Sequence, residues 1–103
     1  MNIKKWDGIE ELERRFGRMT MAMFLKAFRE SGGLSQTQYA KKMGLSRANL
    51  CDLEKGRKLI SPERAAKLAK KIGVPEKVLV QISVQDSLHA AKLSYVVELK
   101  KAS

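Results

Sequence analysis

The sequence predicts a mainly α-helical fold: five helices, an extra helix before them and a single β-strand after them. Three observations predict it. Apolar residues recur at i, i+3, i+4 and i+7 through most of the chain, which is the pattern of a helix face. Ser, Pro and Gly punctuate those stripes where caps and stops belong. From Tyr95 onward the period changes to two, the pattern of a strand. The 103 residues suit one domain with short appendages: an N-terminal helical extension over 1–18, a helical domain over 19–87, and a C-terminal strand or tail over 88–103.

The elements follow in order. Asp7 with Glu10 forms a variant of the capping box, and Ile9, Leu12 and Phe16 give a short amphipathic helix that Gly17 stops. The next helix, about Thr20 to Ser31, buries Met21, Phe24, Leu25 and Phe28 and ends at Gly32-Gly33. Ser35 caps a helix of roughly two turns, Gln36 to Met43, with Tyr39, Ala40 and Met43 inward; Gly44 breaks it. Ser46 caps the helix Arg47 to Lys55, which Gly56 ends. Ser61 caps a fourth helix with Pro62 at its first position, where a missing N–H costs nothing. Its core face is Ala65, Leu68, Ala69 and Ile72, and Gly73 stops it. Pro75 starts a fifth, with Val78, Leu79 and Ile82 inward. In the final stretch Tyr95, Val97 and Leu99 alternate with Val96, Glu98 and Lys100.

Composition narrows the function. At 44% hydrophobic the chain is too apolar for a disordered tail, and one domain is too small for a two-lobed enzyme. One Cys excludes a disulfide framework within the chain, and with one His no Cys/His zinc site, metal or cofactor is expected. The first residues lack the apolar core of a signal peptide, and no apolar run is long enough to span a bilayer. A cytoplasmic protein is the expectation. The net charge of +10 calls for an anionic partner or serves solubility alone, and only its placement can decide.

Two short capped helices joined by a tight turn at Gly44 have the spacing of a helix-turn-helix, in which the first helix braces the second against the major groove. At about 100° per residue, Leu50 and Leu53 point one way, with Ala48, Cys51, Asp52 and Lys55 roughly opposite. The exposed face carries short side chains and one arginine at the leading tip. It suits close approach to base edges by Ser46, Arg47, Ala48, Asn49 and Asp52. Arg47 matches guanine O6/N7, and Asn49 matches adenine or a phosphate. Asp52 either accepts from cytosine N4 or pairs with Lys55 in solvent; the sequence leaves both open.

The run L-S-Q-x-x-Y-A-x-x-M-G-L-S-R over 34–47, with L-E-x-G-R over 53–57, resembles the Cro/CI-type, XRE-like helix-turn-helix regulators. The resemblance covers about Phe24 to Val74. It implies a five-helix, lambda-repressor-like domain within 19–87 that binds a near-palindromic operator in double-stranded DNA as a homodimer and represses transcription. It also implies that Gln36 anchors a phosphate and braces the recognition helix, and that Arg29 and Glu54 form a structural ion pair. Small members with an appended segment are often autoregulating antitoxins, which would make a cognate toxin a second partner and the N-terminal segment or the tail its masking surface. The implied setting is a bacterial or phage cytoplasm, at the nucleoid.

Charge placement agrees with DNA. Between Ser35 and Lys71 ten basic residues face three acidic ones, for +7, whereas Met1 to Arg18 is nearly neutral. Ser35 and Gln36, with the backbone N–H groups that open their helix, are candidate phosphate contacts on one flank, and Lys55, Arg57 and Lys58 on the other. Lys67, Lys70 and Lys71 lie opposite an apolar stripe and read as a solvated face. Cys51 reads as a small tolerated residue rather than a redox sensor, and His89 as a surface or packing residue. Met19, Met21 and Met23 read as gap fillers, not a soft-metal cluster. No nucleophile–base arrangement or phosphate loop is present in the sequence, so an enzyme is not expected. The strand residues Tyr95, Val96, Val97, Glu98 and Leu99 either pair across a two-fold axis with a second copy or fold back onto Asn2 to Lys5; the dimer is the favoured expectation. The rival reading is a protein- or RNA-interaction module on the same fold.

Overall fold

The computed structural model describes residues 18–102. The helix expected over 7–16, with Trp6 beside it, lies outside them. Five helices follow: α1 Met21–Ser31, α2 Gln36–Met43, α3 Arg47–Glu54, α4 Pro62–Ile72 and α5 Glu76–Ala90. Each of the first four opens on a hydroxyl whose oxygen accepts from an otherwise orphaned backbone N–H. Thr20 accepts from Met23 N, Ser46 from Asn49 N and Ser61 from Arg64 N. Ser35 forms a full capping box: it accepts from Gln38 N at 3.1 Å, and its own N–H donates to Gln38 Oε1 at 2.9 Å. Pro75 precedes α5 as its cap and makes no side-chain bond there.

The core is the sum of the apolar stripes. Leu25, Ala65, Ala69, Leu50 and Leu79 are fully buried, and Tyr39 and Met43 nearly so. α4 packs chiefly on α5, α1 on α3 and α5, and α2 on α3 and α4. Polar ties close the bundle. Asp86 of α5 is buried against the start of α1, where its Oδ2 accepts from Met21 N at 3.0 Å and its Oδ1 pairs with the Arg18 guanidinium. Ser83, fully buried, donates to the Val80 carbonyl in its own helix. α5 continues to Ala90, past the 87/88 boundary expected from sequence.

The β-strand expected over Tyr95 to Lys100 does not form: no strand occurs among the described residues. A strand needs a partner for its backbone groups, and this segment meets the side of α5 instead. The Gln85 side chain stands in for a peptide group. Its Nε2 donates to the Tyr95 carbonyl at 2.8 Å and its Oε1 accepts from Val97 N at 2.7 Å. The alternation survives without the ladder, since Val97 and Leu99 are half-buried and Val96, Glu98 and Lys100 exposed.

Candidate nucleic-acid interface

Three elements present the face. α2 braces α3, and the turn between them depends on Gly44, whose φ of +73° is one that residues with a Cβ rarely adopt. That turn closes with Leu45 N donating to Ala40 O at 2.8 Å and Gly44 N to Lys41 O at 3.2 Å, the paired bonds of a Schellman motif. Lys71 of α4 reaches the Met43 carbonyl at 3.4 Å, putting a cation at the α2 C-terminus, where the dipole favours one. α3 ends the same way. Gly56 at φ +73° lets Gly56 N bond Leu53 O and Arg57 N bond Asp52 O. The chain therefore folds back, and residues 57 and 58 come to lie beside the exposed side of α3.

A buried carboxylate fixes the tilt of α3. Glu54, its side chain 3% exposed, accepts from Arg29 Nε at 2.8 Å and from Arg29 Nη2 at 3.0 Å. Gln36 Nε2 adds a third bond at 3.1 Å, and Arg29 Nη1 also donates to the Leu34 carbonyl at 3.0 Å. One acid thus ties α1, α2 and α3 together. Burial pushes the Glu54 carboxyl up, but the hydrogen bonds from Arg29 and Gln36, with the charges of Arg29 and Lys26, outweigh it and hold it below the ordinary glutamate value. The same hydrogen bond raises Arg29. The pair is bidentate, with the carboxylate buried, and it serves architecture.

The outer face is built from what remains. Ser46, Arg47, Ala48 and Asn49 are exposed along the leading turn of α3, while Leu50, Leu53 and Glu54 are buried behind them. Arg47 makes no hydrogen bond or ion pair among the described residues, so its guanidinium is available to a ligand. Cys51 and Asp52 are half-buried. Asp52 pairs forward rather than with Lys55: its Oδ1 lies 3.4 Å from Arg57 Nη1 and its Oδ2 3.4 Å from Lys58 Nζ. Lys58 Nζ also donates to Asn49 Oδ1 at 3.2 Å. Two of the cations expected at phosphates are therefore engaged within the protein. Lys55 is exposed beside them, and Ser35 is exposed at the opposite flank with Gln36 half-buried. The Gln36 side chain turns to Glu54 at the end of α3, to which it donates.

The sequence reading missed Asp86 and the Lys58 bridge. Asp86 had a signal, because it stands in register with Leu79 and Ile82 on the buried face of α5. Lys58 had none, since its reach to Asn49 depends on the reversal at Gly56. Among the described residues no group of three His, Cys, Asp or Glu side chains could hold a metal ion, and no helix is long and apolar enough to cross a membrane. Compared with known proteins, the chain matches the family model described as helix-turn-helix over residues 25–79, just over half its length. No curated protein and no solved structure matches it.

Proposed function

The chain belongs to the helix-turn-helix family of DNA-binding transcription regulators, and from that premise we propose that it is a repressor binding, as a homodimer, a near-palindromic operator in double-stranded DNA. One observation carries the reading: α3 offers an exposed leading turn of short side chains and one unengaged arginine, rigidly backed by Arg29, Gln36 and Glu54. In this reading Arg47 reads guanine, and Ser46, Ala48, Asn49 and Asp52 line the remaining base edges. Ser35 and Gln36 on one flank, with Lys55, Arg57 and Lys58 on the other, supply the phosphate contacts that fix register. The exposed side chains of Tyr95 and Val96, with Val97, Glu98 and Leu99, form the surface that meets a second copy. The family resemblance extends this to an autoregulating antitoxin, a reading that requires a small toxin encoded in the adjacent frame.

One experiment tests it. Duplexes are selected by the protein from a random pool, and the winners are titrated against wild type and Arg47→Ala. The expected outcome is a motif of two inverted half-sites centred about 10 bp or a multiple apart. Arg47→Ala then weakens binding by about 1–3 kcal/mol and relaxes one base position per half-site. A single half-site refutes the dimer. Unchanged affinity for Arg47→Ala refutes direct readout by Arg47, and no enrichment at all favours a protein- or RNA-binding module.

A further inference from the structure

The bridge between α3 and the loop after it has a function beyond tidying charge. Asp52 faces Arg57 and Lys58, each at 3.4 Å. The side chains of Arg57 and Lys58 are 60% and 57% exposed, and that of Asp52 is 26% exposed. The pairing is enforced by the backbone, because the bond from Arg57 N to Asp52 O at 2.9 Å holds the two residues together. Exposed pairs of this kind are individually weak and exchange readily. Their partners are the very cations that a DNA backbone would attract.

Resting on the DNA-binding reading above, the geometry points to Asp52 as a specificity-determining residue that acts as an internal stand-in for phosphate. On duplex of the wrong sequence, Arg57 and Lys58 reach the backbone only by leaving Asp52. That strands a carboxylate beside a polyanion with nothing to donate to it. On the right sequence a cytosine N4 amino group replaces the departed cations. Asn49 is involved too, since Lys58 holds its Oδ1 in the free protein and departure of Lys58 releases the amide to turn toward a base. The cost of breaking the bridge thus falls on non-cognate DNA and is offset at a cognate site.

The test is Asp52→Asn, titrated by fluorescence anisotropy against a short duplex of scrambled sequence between about 50 and 200 mM salt. Its affinity for that duplex should rise by about two- to thirtyfold, the range that two exposed ion pairs can supply. In an Arg57→Gln/Lys58→Gln background the same substitution should raise affinity far less. A wild type that binds while Asp52→Asn leaves affinity unchanged overturns this inference alone. So does an equal rise in both backgrounds, which would mean plain repulsion between Asp52 and DNA. A wild type that binds no duplex at the lowest salt overturns the DNA-binding reading, and this inference with it.

Discussion

Replacing Arg29 with Met tests the architecture behind the recognition face. The substitution keeps a long, flexible, apolar stem but removes two of the three hydrogen bonds to Glu54, those at 2.8 and 3.0 Å, and the counter-charge with them. Gln36 Nε2 at 3.1 Å is then the remaining donor to a side chain 3% exposed. Breaking a buried pair from one side costs about 3–5 kcal/mol, against at most about 1 kcal/mol for an exposed pair such as Arg57–Asp52. A chain of 103 residues has roughly 5–15 kcal/mol in total, so Arg29→Met should take a large share of it at pH 7. The loss should also depend on pH. In the wild type the Glu54 carboxyl lies low, so its contribution is present above the ordinary glutamate value and is lost as pH falls through the folded one. Without Arg29, burial dominates and the folded value rises above the unfolded one. The buried charge then costs most at neutral pH, and protonation relieves it. Urea unfolding followed by circular dichroism at pH 7 and pH 4 measures this, with the deficit relative to wild type larger at pH 7. A deficit under about 1 kcal/mol at pH 7 with an unchanged m-value, or one that is the same at both pH values, would refute the reasoning.

Two further outcomes are expected. The Tyr39 hydroxyl is buried with no hydrogen-bond partner among the described residues, so Tyr39→Phe should leave stability unchanged or raise it by up to about 1 kcal/mol; a loss larger than that in a urea titration would mean the hydroxyl has a partner. Gln85→Ala removes both bonds that hold the tail to α5, and at about 1 kcal/mol each the Val97 amide should exchange with solvent deuterium at least about tenfold faster while the α1 and α4 amides keep their protection.

The helices were legible because their signals are local. Ser35, Ser46 and Ser61 announce helix starts, and Gly44 and Gly73 stops, through bonds spanning only a few residues. α3 ends at Glu54 rather than Lys55, a difference of one residue at a frayed end. The C-terminal segment misled for a physical reason. A period of two records which side chains are covered, not what bonds the backbone, and here the side-chain amide of Gln85, on a helix, bonds the segment in place of a ladder. The exposed face of α3 was legible in outline, since exposure along the helix follows from where Leu50 and Leu53 point. The Asp52–Arg57–Lys58 bridge was not, because it depends on the direction in which the chain leaves Gly56, and no residue pattern states that direction. Of the two readings that the sequence leaves open for Asp52, the ion pair takes Lys55, the nearest cation along the helix, whereas the reversal brings Arg57 and Lys58 to it in space.

The division of labour within α3 has an evolutionary consequence. Leu50, Leu53 and Glu54 anchor the helix, while Arg47, Ala48 and Asn49 are exposed and lie outside the core cluster. Changes on the outer side can therefore accumulate without loosening the bundle. With that outer side reading bases as proposed, stability and target choice vary along separate axes, so a duplicated copy of this gene could be re-addressed to a new site in a few substitutions, with its scaffold carried over intact.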